Sequence, residues 1–538
     1  MKVQQINYQQ NTNRNNNQQP SFNGLADSAV QFLRFLDTNQ AWGATAVDFS
    51  CMVAPRTITD FTRGPEAGVE TMRREASGTV NHAAVGLVYG PLAGMLLATA
   101  LNSKYGIKAQ KLFADAETVD MFAKPWHEVI HAANIEESAV KNGLSDNLLK
   151  AYTDKVAGML HKVDKVSEKE TLTNLSDGAK NNFSDVLMKA IKDPSKENRA
   201  MLRNIVLSDF GQEKGLKLVY DNKSVVADLD DIIANSVSTS KALNSENVIK
   251  SFIKSIKFED VNFVKSLKKF GMNRSLLGLG LASAIGCCIQ PFNIYLTKKK
   301  TGSDGFVGVE GREKDNSGKF KGLKAGVAAA FGTGVYSLIT NGSFKFADFL
   351  KNIQYKGITP TLNQFKLVYG LTIMSRFLAA RDKDELREAT VKDTLGYLSW
   401  LVFGNFVSKG ALKALDKNLV GKTRDEVLYK ALKKAKISTV ENGKALSFKE
   451  LLKKLPKSDK AARKSLRFLT LAQLAGYAFS GIVLGVGIPK LNIYMTKKSE
   501  QKRAAARAMN PENIMLKPEN IAFLSNQMNF TSNKMLNK

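Results

Sequence analysis

The chain has 538 residues, with 78 basic and 50 acidic side chains and a formal charge of +28. Apolar residues make up 43% and aromatics 8%, which excludes a wholly disordered chain, and three cysteines exclude a disulfide-built one. With only four histidines, any clustering of them is informative.

In chain order, residues 1–23 are rich in Asn and Gln. They read as a disordered leader with no cleavable signal peptide. Residues 24–101 carry an apolar stretch at 41–55, interrupted by Asp48. A charged run follows, holding Arg56, Asp60, Arg63, Glu66, Glu70, Arg73, Arg74 and Glu75. The uncharged stretch 83–101 then has about the 20 residues a membrane crossing needs. Within it Gly86, Gly90 and Gly94 form two GxxxG steps, which let helix backbones approach closely.

Residues 102–270 carry 26 basic and 24 acidic residues. Their apolar residues recur at three- and four-residue spacing, so this block reads as a soluble, all-helical insertion without strands. Long uncharged stretches return at 275–297, 325–344 and 468–489, with a shorter one at 394–408. Residues 301–361 are a connecting region with one apolar helix. Asp382, Asp384, Glu385, Arg387 and Glu388 form a second charged run. Residues 409–467 are a basic helical insertion with 18 basic and 6 acidic residues. Residues 501–538 are a flexible basic tail. Cys51, Cys287 and Cys288 lie in or beside apolar stretches and are expected to be buried.

Two segments repeat. Asn293-Ile294-Tyr295-Leu296-Thr297-Lys298-Lys299 matches Asn492-Ile493-Tyr494-Met495-Thr496-Lys497-Lys498 at all but one position. Arg74-Glu75-Ala76-Ser77 matches Arg387-Glu388-Ala389-Thr390, and Leu87-Val88-Tyr89-Gly90 matches Leu401-Val402-Phe403-Gly404. Their shared order predicts a tandem duplication. The first repeat is 24–101 with 271–300, and the second is 362–500. In the NIY[LM]TKK ends, Tyr295, Tyr494, Lys298, Lys299, Lys497 and Lys498 suit contact with lipid head groups.

Trp126-His127-Glu128-Val129-Ile130-His131 places two histidines four apart. On a helix both imidazoles share a face, with Glu128 beside them. Pro125 predicts that this helix starts just before His127. The HEVIH string resembles the HExxH signature of zincin metallopeptidases. That resemblance implies zinc on His127 and His131 and Glu128 as general base. His161 or Glu137 is then the candidate third ligand.

The sequence therefore predicts an all-α, multi-pass or membrane-associated protein with a tandem duplication and a soluble insertion. The leading function is a structural, scaffold or transport-like membrane component, in a bacterial inner membrane, whose basic regions hold anionic lipid. Helix-mediated self-association is a further expectation. One alternative is a membrane-bound zinc metallopeptidase, and another is a soluble helical protein that binds acidic partners. Nucleic acid is disfavoured as a partner, because the basic block 409–467 has few aromatics for base stacking.

Overall fold

The computed structural model describes residues 23–508, except 39, 141–142, 167–168, 303, 306–313, 358 and 399–403. The Asn/Gln leader, most of the tail and the middle of the 394–408 stretch lie outside the described residues. The described residues are mostly helical, and the helices run back and forth between two ends. One end is a polar domain. The other is a layer of buried charge.

Helix α1 (Asn23–Thr38) starts at the domain end, where Arg34 pairs with Asp425 at 2.9 Å. Helix α2 (Gln40–Asp48), a π-helical turn over Phe49–Val53 and α3 (Ala54–Phe61) lead to the charge layer. Helix α4 (Pro65–Ala84), a second π turn over Val85–Tyr89 and α5 (Gly90–Leu97) run back. Helix α6 (Thr99–Tyr105) then inserts Leu101 and Tyr105 into the domain core.

The domain opens with α7 (Ala116–Ala132), whose N-cap Asp115 accepts from the Thr118 amide at 2.9 Å. Pro125 lies inside this helix rather than at its start, because the Asp115 cap sets the boundary two and a half turns earlier. Helix α8 (Asp146–Met159) packs on α7 through an edge-on Trp126–Tyr152 contact with ring centroids 4.6 Å apart. The insertion continues through β1 (Leu160–Val166), β2 (Lys169–Asn174), α9 (Asp177–Lys192), α10 (Lys196–Phe210), β3 (Leu216–Tyr220), β4 (Lys223–Ala227), α11 (Leu229–Leu243) and α12 (Glu246–Ile253). The four strands form one antiparallel sheet in the order β2-β1-β3-β4.

This sheet corrects the all-helical reading of the insertion. Leu216 and Leu218 point inward with Lys217 between them, a period of two. Asp221 and Asn222 join β3 to β4 with φ of +47° and +57°, the left-handed pair a two-residue hairpin turn requires.

Helix α13 (Asn262–Thr301) leaves the domain core through Phe263, Leu267 and Phe270. Its 40 residues are about 60 Å long, roughly twice the hydrocarbon thickness of a bilayer. Helix α14 (Gly318–Thr340) starts at the charge layer, where Lys324 donates to the Ala380 carbonyl. Helix α15 (Phe346–Asn352) reaches the domain end, where Lys351 pairs with Glu117. Helix α16 (Leu362–Ala379) returns to the charge layer, and α17 (Lys383–Leu398) and α18 (Gly404–Leu415) leave it. Helix α19 (Arg424–Lys434), a short hairpin of β5 (Val440–Glu441) and β6 (Lys444–Ala445), and α20 (Phe448–Lys454) form the second insertion. Its Leu428, Leu432, Leu451 and Leu452 join the same hydrophobic core as the first insertion. Helix α21 (Lys460–Phe479), a π-helical stretch over Ser480–Gly487 and α22 (Ile488–Ala508) make the last pass.

A second core lies between the passes and contains Val85, Leu279, Ala282, Val335, Val368, Ile373 and Phe377. Four helical stretches are long and apolar enough to cross a membrane: Pro65–Leu97, Asn262–Thr301, Gly318–Thr340 and Lys460–Ala505. Leu96, Phe292 and Ile482 on these stretches point outward. Cys51 is buried, but Cys287 and Cys288 are exposed. The buried-thiol reading fails for that pair because an apolar stretch with an outward face need not bury its residues in protein.

The π turn Phe49–Val53 packs against the π stretch Ser480–Gly487. A Cβ on Gly485 would sit 2.5 Å from the Cys51 carbonyl oxygen and 2.7 Å from the Pro55 side chain, whereas one on Gly481 meets nothing within 4 Å. Gly485→Ala is therefore expected to destabilise the protein by ~1–3 kcal/mol through overpacking, while Gly481→Ala leaves it unchanged or slightly more stable. Thermal unfolding of the two variants in detergent checks this, and equal shifts would contradict it.

Candidate functional site

Two helical hairpins meet to build the charge layer. The first bends between α3 and α4 at Gly64, whose φ of +147° disfavours any side chain. The second bends between α16 and α17 at Ala380–Asp382. There the Asp382 carboxylate accepts from the Asp384 and Glu385 amides at 2.8 and 2.9 Å.

The bends bring the two charged runs face to face. Arg63 reaches across to Glu388 through both terminal nitrogens, at 2.9 and 2.5 Å. Arg376 reaches the other way, to Glu75 at 2.6 Å and to Asp393 at 2.8 Å. Arg63 and Glu75 have the same sequence separation as Arg376 and Glu388. An arginine of each hairpin thus holds a glutamate of the other.

Further ions complete the layer. Arg56 lies 3.3 Å from Glu75 and 3.8 Å from Asp393. Lys392 lies 3.6 Å from both Asp60 and Glu75. Arg381 holds Glu70 at 2.7 Å and Glu385 at 3.0 Å. Burial pulls the Arg381 guanidinium down, but Glu385 and Glu70 outweigh it and hold it above the usual arginine range. Nearly all these side chains are buried, and every positive group meets at least one negative group. A cavity of about 40 Å³ lies among Asp60, Arg63, Glu70, Thr71, Gln290 and Lys392, enough for a few waters.

The repeated NIY[LM]TKK ends dock on this layer. Thr297 accepts from Arg73 at 3.0 Å, and Thr496 accepts from Arg387 at 2.7 Å. Thr496 also donates to Glu388, and Asn492 donates to the Glu388 carbonyl at 3.2 Å. Asn293 and Asn492, each four residues before its threonine, are buried as well. Sequence reasoning missed this inward role, although a polar pair at four-residue spacing on an apolar helix signals an inward face. The other face carries Tyr295 and Tyr494, which are 58% and 61% exposed. Lys298, Lys299, Lys497 and Lys498 are exposed too, with Lys298 paired to Asp304 at 2.7 Å.

The layer extends inward from Asp48, which accepts from Thr79 at 2.6 Å. His82 is buried with Nδ1 3.9 Å from Asp48, and neither ring nitrogen has a hydrogen-bond partner among the described residues.

The HEVIH residues lie in the domain, at the opposite end from the charge layer. His127 and His131 share a face of α7, with ring centroids 4.2 Å apart. Both Nε2 atoms point at one acceptor, the Ser255 carbonyl, at 3.0 and 3.1 Å. Burial draws His127 below the usual imidazole range. Glu128 turns away, pairing with Lys155 at 2.8 Å and accepting from the Tyr220 hydroxyl. These two hydrogen bonds outweigh burial, which raises the carboxyl, and hold it below the usual range. His161 sits on β1, where Nδ1 meets the Met159 carbonyl at 2.8 Å, and Glu137 pairs with Lys254 at 3.0 Å. No group of three His, Cys, Asp or Glu among the described residues is placed to hold a metal ion. The donor set therefore does not fit a zincin centre: two imidazoles share a backbone carbonyl, and the glutamate is tied to a lysine and a tyrosine.

No protein-family model, curated protein or solved structure matches the chain.

Two predictions follow from this geometry. Glu75→Gln and Arg376→Gln should each destabilise the protein by ~3 kcal/mol, because each leaves a buried charge uncompensated. The double variant should lose at least ~1 kcal/mol less than the sum, as measured by a thermal or denaturant unfolding cycle. Strict additivity would mean that the pair does not interact. Metal analysis of the purified protein should find no stoichiometric zinc, and His131→Ala should leave the metal content unchanged. An equimolar zinc content lost in that variant would restore the metallopeptidase reading.

Proposed function

We propose that the chain is an integral membrane protein of the transport or scaffold type, in a bacterial inner membrane, built from a tandem duplication and without a catalytic centre. The observation that carries this reading is the bracketing of the apolar passes. A neutralised charge layer closes one end, and a basic domain closes the other. Between them the candidate spans present apolar residues outward.

The crossed Arg63–Glu388 and Arg376–Glu75 pairs support the duplication, since matching residues of the two runs exchange partners. The matching threonines Thr297 and Thr496 of the NIY[LM]TKK ends also each accept from an arginine of the charge layer. On this reading Tyr295, Tyr494 and the lysines beside them lie at the head-group level of one leaflet. The basic insertion 409–467 lies at the other leaflet and contacts anionic lipid there.

Alkaline carbonate extraction of membranes carrying the full chain tests the proposal. The protein should stay in the pellet, and high salt should not release it. Quantitative release by carbonate would favour the soluble, acidic-partner reading instead.

A further inference from the structure

At the domain end, α1 and α2, α18, the start of α19 and α21 enclose a cavity of about 580 Å³. That volume suits a small ligand or part of a lipid. Its walls are of two kinds. Leu412, Leu469 and Ala472 form a buried apolar side. Lys214, Lys409 and Lys422 form an exposed basic side and make no ion pair among the described residues.

The acids in this wall are already engaged. Asp425 is held by Arg34 at 2.9 Å and lies 3.8 Å from Arg203. Glu213 is held by Arg203 at 2.5 Å. Lys214 and Lys409 therefore face the cavity without a neutralising carboxylate, and Lys422 has only Glu426 nearby, whose carboxylate already accepts from the Thr423 amide. An occupant with an anionic head and an apolar tail matches both walls.

The position of the cavity narrows the occupant further. The apolar part of the last span begins on α21 in this wall, and the lining continues along the same pass through Gly476, Tyr477 and Ser480. An acyl chain lying along α21 can thus enter the cavity sideways while its head group stays at the level of the lysines. A free phosphate would leave the apolar half empty.

We propose that this cavity binds one anionic phospholipid, with the phosphate held by Lys214, Lys409 and Lys422 and an acyl chain against Leu412, Leu469 and Ala472. The inference rests on the membrane reading above.

The test uses the full chain reconstituted in nanodiscs of phosphatidylethanolamine and phosphatidylglycerol. Native mass spectrometry then counts retained lipid. The wild type should keep one phosphatidylglycerol through delipidation. The triple variant Lys214→Gln, Lys409→Gln, Lys422→Gln should bind it at least about tenfold more weakly. Ala472→Phe should also lose it, by filling the apolar side without changing any charge, and an unchanged melting temperature shows that this variant is folded. If Ala472→Phe melts early, Ser408→Leu at the cavity rim replaces it in the same measurement. Equal phosphatidylglycerol retention by wild type and triple variant would overturn the proposal. So would displacement of the lipid by millimolar inorganic phosphate, which would mark a bare anion site. Carbonate release of the same protein would fail the membrane reading, whereas membrane retention without lipid selectivity would fail this inference alone.

Discussion

The crossed arginine–glutamate pairs are the constraint on which the far end of the structure depends. Taking a carboxylate or a guanidinium out of water costs several kcal/mol even after relaxation. The cost is offset only when each charge meets an opposite one with good geometry. Arg63 and Arg376 meet that demand largely across the boundary between the two hairpins, although Arg376 also holds Asp393 of its own hairpin. The left-handed bend at Gly64 and the Asp382 cap follow, because both helices must turn sharply where the charges converge.

The two ends of the molecule are held by different physics. At the domain end both insertions contribute to one apolar core, the ordinary source of stability in water. At the charge layer electrostatics and hydrogen bonds do the work. The passes between have little hydrophobic drive to associate if lipid surrounds them, since acyl chains are as apolar as leucine. Close backbone contacts must then hold them. Gly90 beneath the Tyr355 ring and Gly485 against the Cys51 carbonyl are such contacts, with a Cβ at 2.8 and 2.5 Å respectively. On the proposed duplication the first helix of each half packs against the last helix of the other. Helix α16 lies on α13, and the Phe49–Val53 turn lies on Ser480–Gly487. Exchange of partners in both the charges and the helices makes the two halves one unit.

Much of the architecture was legible because it is written in periodicity. The four candidate spans coincide with long uncharged runs, and the insertion helices show three- and four-residue spacing. The strands were not legible for two reasons. They are short, and β1 directly continues an amphipathic helix, so His161 reads as helical until the chain changes direction at Leu160. The Asp221–Asn222 turn was the available signal. For the site, both charged runs stood out in the sequence, but no one-dimensional pattern pairs Arg63 with a glutamate 325 residues away. The histidine motif misled in the opposite way. Its spacing is right for a shared face, yet a ligand set also needs free nitrogens and a converging third group. Here the Ser255 carbonyl occupies the position both rings point to.

The placement of the insertions follows from the order of passes. Counting from α2, the chain reaches the charge layer, returns and enters the first insertion, then comes back along α13. Helix α14 returns to the domain end. Helices α16 to α18 then repeat the first excursion and enter the second insertion, and α21 to α22 close it. On the proposed duplication, the single connecting pass, α14, brings the second half back to the end where the first began. A half with an odd number of passes cannot otherwise be repeated in the same orientation. Both insertions therefore emerge on one side, where Leu428 and Leu432 of the later one can complete the core begun by the earlier. The same arithmetic places the strongly basic 409–467 segment at the end opposite the Thr-Lys-Lys motifs. The chain's excess positive charge is thus spread over both ends of the apolar passes, beside rather than within them.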